Sequence, residues 1–234
     1  MLEVCVDTVQ AAVIAEEAGA DRVELCSALD LGGVTPSGPL VTAVRRSIQL
    51  PLVVLIRSRA GNFLYDEREC ELMIQEAKQA IELGADGIAI GGLVETMDLH
   101  LTFLRSITKA LPKSQLVMHR AFDRVRDPHD GLESLIELGF KRILTSGGPD
   151  MAIDGVACLR RLIELANGRI EILPAGGVAP SNALEILATC RATQLHGSFR
   201  APTHGSSTSM LPCKTAIEQT KSILTSLECD LSGC

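Results

Sequence analysis

Three stretches of this chain repeat one pattern: EEAGADRVEL from residue 16, IELGADGIAI from 81 and IELGFKRILT from 136. Each reads as the end of an amphipathic helix, a glycine that stops it, a tight turn and then an apolar, β-branched strand. A unit of helix, glycine and buried strand places successive strands parallel, because the helix carries the chain back to the starting edge of the sheet. Strand-like runs occur eight times: LEVCV at 2, RVELC at 22, LVVLIR at 52, GIAIGG at 87, QLVMHR at 115, RILTSGG at 142, IEILPAGG at 170 and TQLHGS at 193. Helical spacing fills the gaps, as in TVQAAVIAEEAGA, ERECELMIQEAKQAIELGA and GLESLIELGF. Eight βα units within about 250 residues predict a closed (β/α)8 barrel of the TIM type rather than an open doubly wound sheet. No linker divides the chain, so residues 1–234 are read as one domain. Asp127-Pro128 reads as a helix cap followed by proline in the first turn, and the polar run Ala201 to Ser209 reads as a loop before a last helix, AIEQTKSILTSL.

The net charge of -7, the absence of tryptophan and the single tyrosine supply neither a basic stripe nor stacking platforms, which argues against nucleic acid as a partner. No run approaches the length of a membrane span, and MLEVCVD lacks the basic and apolar regions of a signal peptide, so the expectation is a soluble cytoplasmic protein that does not engage membranes. The eight cysteines lack C-x-x-C pairs and are read as reduced thiols. Outer helices with few aromatics leave a homo-oligomer open.

In a βα barrel the chemistry gathers where the strands end. Period-two alternation puts Glu3 with Cys5, and Glu24 with Cys26, on one face, leaving Val4 and Leu25 for the other. The apolar pair suits the outer helices, so the two glutamates and two cysteines are expected inside. Strand three closes on Arg57 and Arg59, which can neutralise the glutamates or clamp an anion. Strand five supplies His119 and Arg120, its loop supplies Asp123, and strand eight supplies His196. Ser146-Gly147 and Gly176-Gly177 end strands six and seven, either as tight turns or as backbone N–H groups for an oxyanion or phosphate. Glu3, Glu24, His119 and Asp123 are the candidates for acid–base chemistry, with an ion-pair network filling the barrel as the competing reading.

DRVELCSALDLGGVTPS, IRSRAGNFLYDERE, MHRAFDRVRDP, RILTSGG and LPAGGVAPSN, in this order and spanning nearly the whole chain, resemble the CutC family of copper homeostasis proteins. Glu24 and Cys26 match its V-E-L-C; Arg57, Arg59, Phe63 and Tyr65 its I-R-P-R-G-G-D-F-x-Y; His119, Arg120, Phe122 and Asp123 its H-R-A-F-D; Ser146 and Gly147 its L-T-S-G. Ser58, Ala60 and Asn62 depart from the family pattern in the loop after strand three, and Phe199 adds bulk after His196 and Ser198. The resemblance implies a cytoplasmic βα barrel that handles copper. Thiolates suit Cu(I), and matching positions on adjacent strands lie about 5 Å apart, so Cys5 and Cys26 are the candidate metal ligands; small buried residues beneath some other site are the alternative. Two functions follow: a copper-binding protein, or an enzyme acting on a small anion, phosphorylated or carboxylated, held by Arg57, Arg59 and the glycine-rich turns.

Overall fold

The computed structural model describes residues 1–112, 115–200 and 211–232. The loop from Ala201 to Ser209, the side chain of Cys229 and Cys234 lie outside the described residues. Eight strands alternate with eight helices: β1 (Leu2–Val6), α1 (Val9–Glu17), β2 (Arg22–Leu25), α2 (Gly38–Ser47), β3 (Leu52–Ile56), α3 (Glu67–Glu82), β4 (Gly87–Ile90), α4 (Leu101–Ala110), β5 (Gln115–Met118), α5 (Pro128–Glu137), β6 (Arg142–Thr145), α6 (Val156–Ala166), β7 (Glu171–Pro174), α7 (Pro180–Cys190), β8 (Leu195–Gly197) and α8 (Lys214–Ser232). All ladders are parallel, in the order β7-β6-β5-β4-β3-β2-β1-β8, so the sheet curls into a barrel. β7 and β8 lie side by side at its one seam without a ladder among the described residues.

The three repeats are identical in hydrogen bonding. Gly19, Gly84 and Gly139 take positive φ, and each helix ends with the glycine N–H on the carbonyl three residues back, from Gly19 to Glu16, Gly84 to Ile81 and Gly139 to Ile136. The next residue reaches back five, from Ala20 to Ala15, Ala85 to Ala80 and Phe140 to Leu135, which satisfies carbonyls the helix end would leave bare. The chain then ties to the start of the preceding strand through Asp21 N–H on Leu2 O, Asp86 N–H on Leu52 O and Lys141 N–H on Leu116 O. Where the unit carries aspartate, the carboxylate accepts the strand's first N–H, at 2.6 Å from Leu2 and 2.8 Å from Leu52.

Alternation sorts the side chains into two cores. Val4, Val6, Val23, Leu25, Val54, Ile56, Ile88 and Ile90 point outward and pack with the helices. Cys5, Cys26, Val53, Leu55, Ala89, Val117, Leu144, Leu173 and Ala175 form a smaller cluster inside the barrel. The sequence-level parity of Cys5 and Cys26 therefore holds.

Asp127 caps α5 as its sequence requires, accepting from His129 N at 2.9 Å and Asp130 N at 3.2 Å ahead of Pro128. Asp127→Ala is expected to lower unfolding stability by about 1 kcal/mol in urea titration, with no change in slope, because it frees two N–H groups at an exposed helix end. His100, by contrast with a free surface histidine, caps α4 through Nδ1, which accepts from Phe103 N.

Candidate functional site

The carboxyl ends of the strands surround a cavity of about 460 Å³, reached between the loops after β2, β3, β7 and β8. Its wall includes Cys5, Glu24, Cys26, Arg57, His119 and His196, all at least nine-tenths buried. The Cys5 and Cys26 Sγ atoms lie 3.8 Å apart. Cys5 Sγ, a Glu24 oxygen and a His196 ring nitrogen all fall within 4.8 Å of one another. This convergence follows from register: Cys5 pairs with Glu24 across β1 and β2, and Glu3 pairs with His196 across β1 and β8.

The two glutamates are held in opposite states. Burial pushes the Glu3 carboxyl up, but the hydrogen bond from His196 Nδ1 at 2.8 Å, the charge of Arg22 and that of His196 outweigh it and bring its pKa down to about 2. Burial raises Glu24, and neighbouring Glu3 adds to that, against the opposing charge of His196. Burial lowers His196, but the charge of Glu24, the hydrogen bond to Glu3 and the charge of Glu3 outweigh it and raise its pKa; the ring lies between the two carboxyls, Nε2 at 3.7 Å from Glu24. Two carboxyls pushed apart in this way give one fixed anion and one group able to carry a proton. The Cys5 thiol is pushed well above its usual range, first by its contact with Cys26 and then by burial, so it rests protonated.

Beneath this lies a polar floor. Arg22 Nε bonds Glu3, Arg22 Nη2 reaches Gln194 at 3.3 Å, Gln194 reaches Glu171 at 3.3 Å, and Arg142 Nε bonds Glu171 at 2.7 Å. Strand-end reasoning missed Arg22, Arg142, Glu171 and Gln194, since they start or precede their strands. Arg22 was findable: it stands two before Glu24, on the same inward face.

Several expected site residues serve elsewhere. Arg57 does not neutralise the glutamates. Its terminal nitrogens turn into the loops and donate to the carbonyls of Leu31, Gly32, Gly33 and Gly61. Arg59, one residue further into its loop, leaves the cavity for Glu69 at 2.5 Å and the Leu64 carbonyl at 2.6 Å, over the Tyr65 ring. Asp123 accepts from Thr145 Oγ1, Ser146 N and Arg120 Nε, so it orients Arg120 rather than facing the cavity. Ser146 donates to the Pro149 carbonyl, and Gly147 N–H is taken by Thr145 Oγ1 at 3.0 Å, which makes that turn a packing device. Arg120, Gly176, Gly177 and His196 do line the cavity. His119, expected to titrate near neutrality, is instead neutral: burial, then the charge of Arg57, lowers its pKa to about 3. Of the departures in the loop after β3, Asn62 keeps the loop braced by accepting from Arg59 and Leu64, and Phe199 packs into the outer core.

Fold and site together define a (β/α)8 barrel protein with a buried, thiol-bearing polar pocket at the carboxyl face. Residues 1–201 match the model of the CutC family. The chain is 46% identical to the human copper homeostasis protein cutC homolog over 86% of this chain and 74% of that one, and 42% identical to the CutC family protein of Histophilus somni (strain 2336) over 85% and 82%. The crystal structure of the copper homeostasis protein CutC from Streptococcus agalactiae superposes with a TM-score of 0.81 at 31% identity, covering 85% of this chain and 98% of that one. The chain belongs to the CutC family. Thiamine phosphate pyrophosphorylase from Pyrococcus furiosus, 15% identical with a TM-score of 0.64 over 97% of this chain and 96% of its own, shares the fold alone. No helix among the described residues is long and apolar enough to cross a membrane.

Proposed function

We propose that this chain is a cytoplasmic copper-homeostasis protein that takes Cu(I) as cargo between the thiolates of Cys5 and Cys26. The observation that carries this reading is the 3.8 Å separation of two inward, buried sulfurs, with Glu24 and His196 beside Cys5. Thiolates are the ligands a soft monovalent ion prefers, and a walled cavity shields it from water and oxidant. Because Cys5 rests protonated, loading displaces protons, and apparent affinity rises with pH by up to about tenfold per unit for each proton lost.

An anaerobic Cu(I) competition titration against a high-affinity chelator tests this on the reduced chain and its Cys5→Ser/Cys26→Ser variant. The expected result is stoichiometric binding that tightens with pH and disappears in the variant. Binding unchanged by the double substitution removes the thiol site.

A second reading, an enzyme acting on a small anion, is favoured by Arg57 and Arg120 in the cavity wall and by Glu24, whose carboxyl burial pushes up. Charge distribution in the wall sharpens that reading.

A further inference from the structure

We propose that the side of the cavity between β3 and β5 binds the carboxylate of a small organic acid, which accepts the His119 Nε2–H beside the Arg57 guanidinium and the Phe63 ring. This deepens the second reading above and does not involve the thiols.

Register places the three elements. Leu55 pairs with Ala89, and Ala89 with Val117, so two residues further along Arg57, Gly91 and His119 share the next inward row. The middle member has no side chain, and the imidazole occupies its place: a Cβ on Gly91 would stand 2.7 Å from His119 Cε1 and 2.9 Å from Nδ1. Ala121 N–H donates to His119 Nδ1 at 3.1 Å. That bond leaves Nδ1 bare and puts the ring's proton on Nε2. His119 lines the cavity, and its Nε2–H is buried with no partner among the described residues. Buried donors are almost always satisfied, so one left unpartnered on a cavity-lining side chain marks where an acceptor belongs.

Charge selects the acceptor. Among the cavity arginines, Arg120 is paired with Asp123 at 2.7 Å, and Arg200 with Asp7 at 2.5 Å and Asp30 at 3.2 Å. Arg57 is as buried as the site residues and has only neutral partners among the described residues: four carbonyls, the Phe63 ring 4.8 Å below its carbon, and the Tyr65 hydroxyl beside it. Phe63 also stacks on His119, with ring centroids 5.2 Å apart. A buried cation without a counter-ion favours an anion, and its committed nitrogens act through field rather than as a clamp. One positive charge and one neutral donor match a carboxylate. A phosphate brings more charge and more acceptor oxygens than this sector serves.

The test uses the full reduced chain with 15N-labelled histidine, titrated with acetate, pyruvate and inorganic phosphate. The expected spectrum has His119 as the Nε2–H tautomer from pH 5 to 8, with a resonance moved saturably by acetate or pyruvate. Calorimetry is expected to show about tenfold weaker carboxylate binding in His119→Phe, the equivalent of one hydrogen bond. An Nδ1–H tautomer, titration of His119 near neutral pH, or no response to either carboxylate at millimolar concentration overturns the proposal, and the wild-type spectrum decides even if His119→Phe fails to fold. Phosphate binding that leaves the His119 resonance unmoved, with both carboxylates inert, sinks this subsite while sparing the anion-enzyme reading.

Discussion

Arg22→Met is expected to lower the free energy of unfolding by about 3–5 kcal/mol, the largest effect of any single exchange in the barrel interior. Arg22 is almost fully buried at the base of β2, where it bonds Glu3 and reaches Gln194. Methionine fills much of the same volume, so the loss reports charge rather than a hole. Without Arg22, Glu3 keeps the hydrogen bond to His196 and only the more distant charge of Arg142 among the described residues, and an incompletely compensated buried carboxylate is the costly species. The companion variant Arg22→Met/Glu3→Gln removes both charges and is expected to recover more than half of the loss. Urea unfolding of the two variants at neutral pH measures this. Equal destabilisation of both would mean that shape, not charge, holds the floor together.

A second large effect is acid sensitivity set by His119. Its folded pKa of about 3 lies below the ordinary histidine value of 6.5, so the unfolded chain takes up the proton first as pH falls. Stability from this residue is therefore complete above pH 6.5 and is lost progressively down to about 3, a span on the order of 5 kcal/mol. Glu3 adds to the loss only below 4.5, where its unfolded form protonates, and Glu24 acts in the opposite sense, since its raised pKa makes acidification favourable. His119→Gln keeps an acceptor for Ala121 and cannot titrate. Relative to its own value at neutral pH, the variant is expected to retain roughly 2 kcal/mol more than wild type near pH 5. Parallel pH profiles for the two proteins would show that His119 is not held neutral.

The architecture was legible because its information is local. Each GAD or GFK unit carries its own helix stop, turn and strand, and each does so through the same few hydrogen bonds. The inward parity of Cys5, Glu24 and Cys26 was equally readable, since alternation is a property of a single strand. What sequence left open were lateral facts. That Glu3 meets Arg22, and not Arg57, depends on the shift between neighbouring strands, which no single run encodes. Arg59 and Asp123 fell outside the cavity for a related reason: both lie beyond the last strand residue, where loop geometry rather than pleat decides direction. The neutrality of His119 required knowing that its ring is fully buried and that Arg57 is its neighbour.

The seam at β8 bears on when this pocket comes into being. Among the described residues β8 pairs only with β1, bringing residues 195–197 onto 2–4, a contact spanning almost the whole chain. Contacts of such separation are the slowest to form, because the intervening loop must be closed before they are rewarded. Cys5 and Cys26 belong to strands adjacent in sequence and can meet early, but the His196 bond to Glu3 waits for the final strand. A chain still emerging from the ribosome would thus carry the paired sulfurs and both glutamates without His196 beside them, and the finished pocket is a signature of completed synthesis.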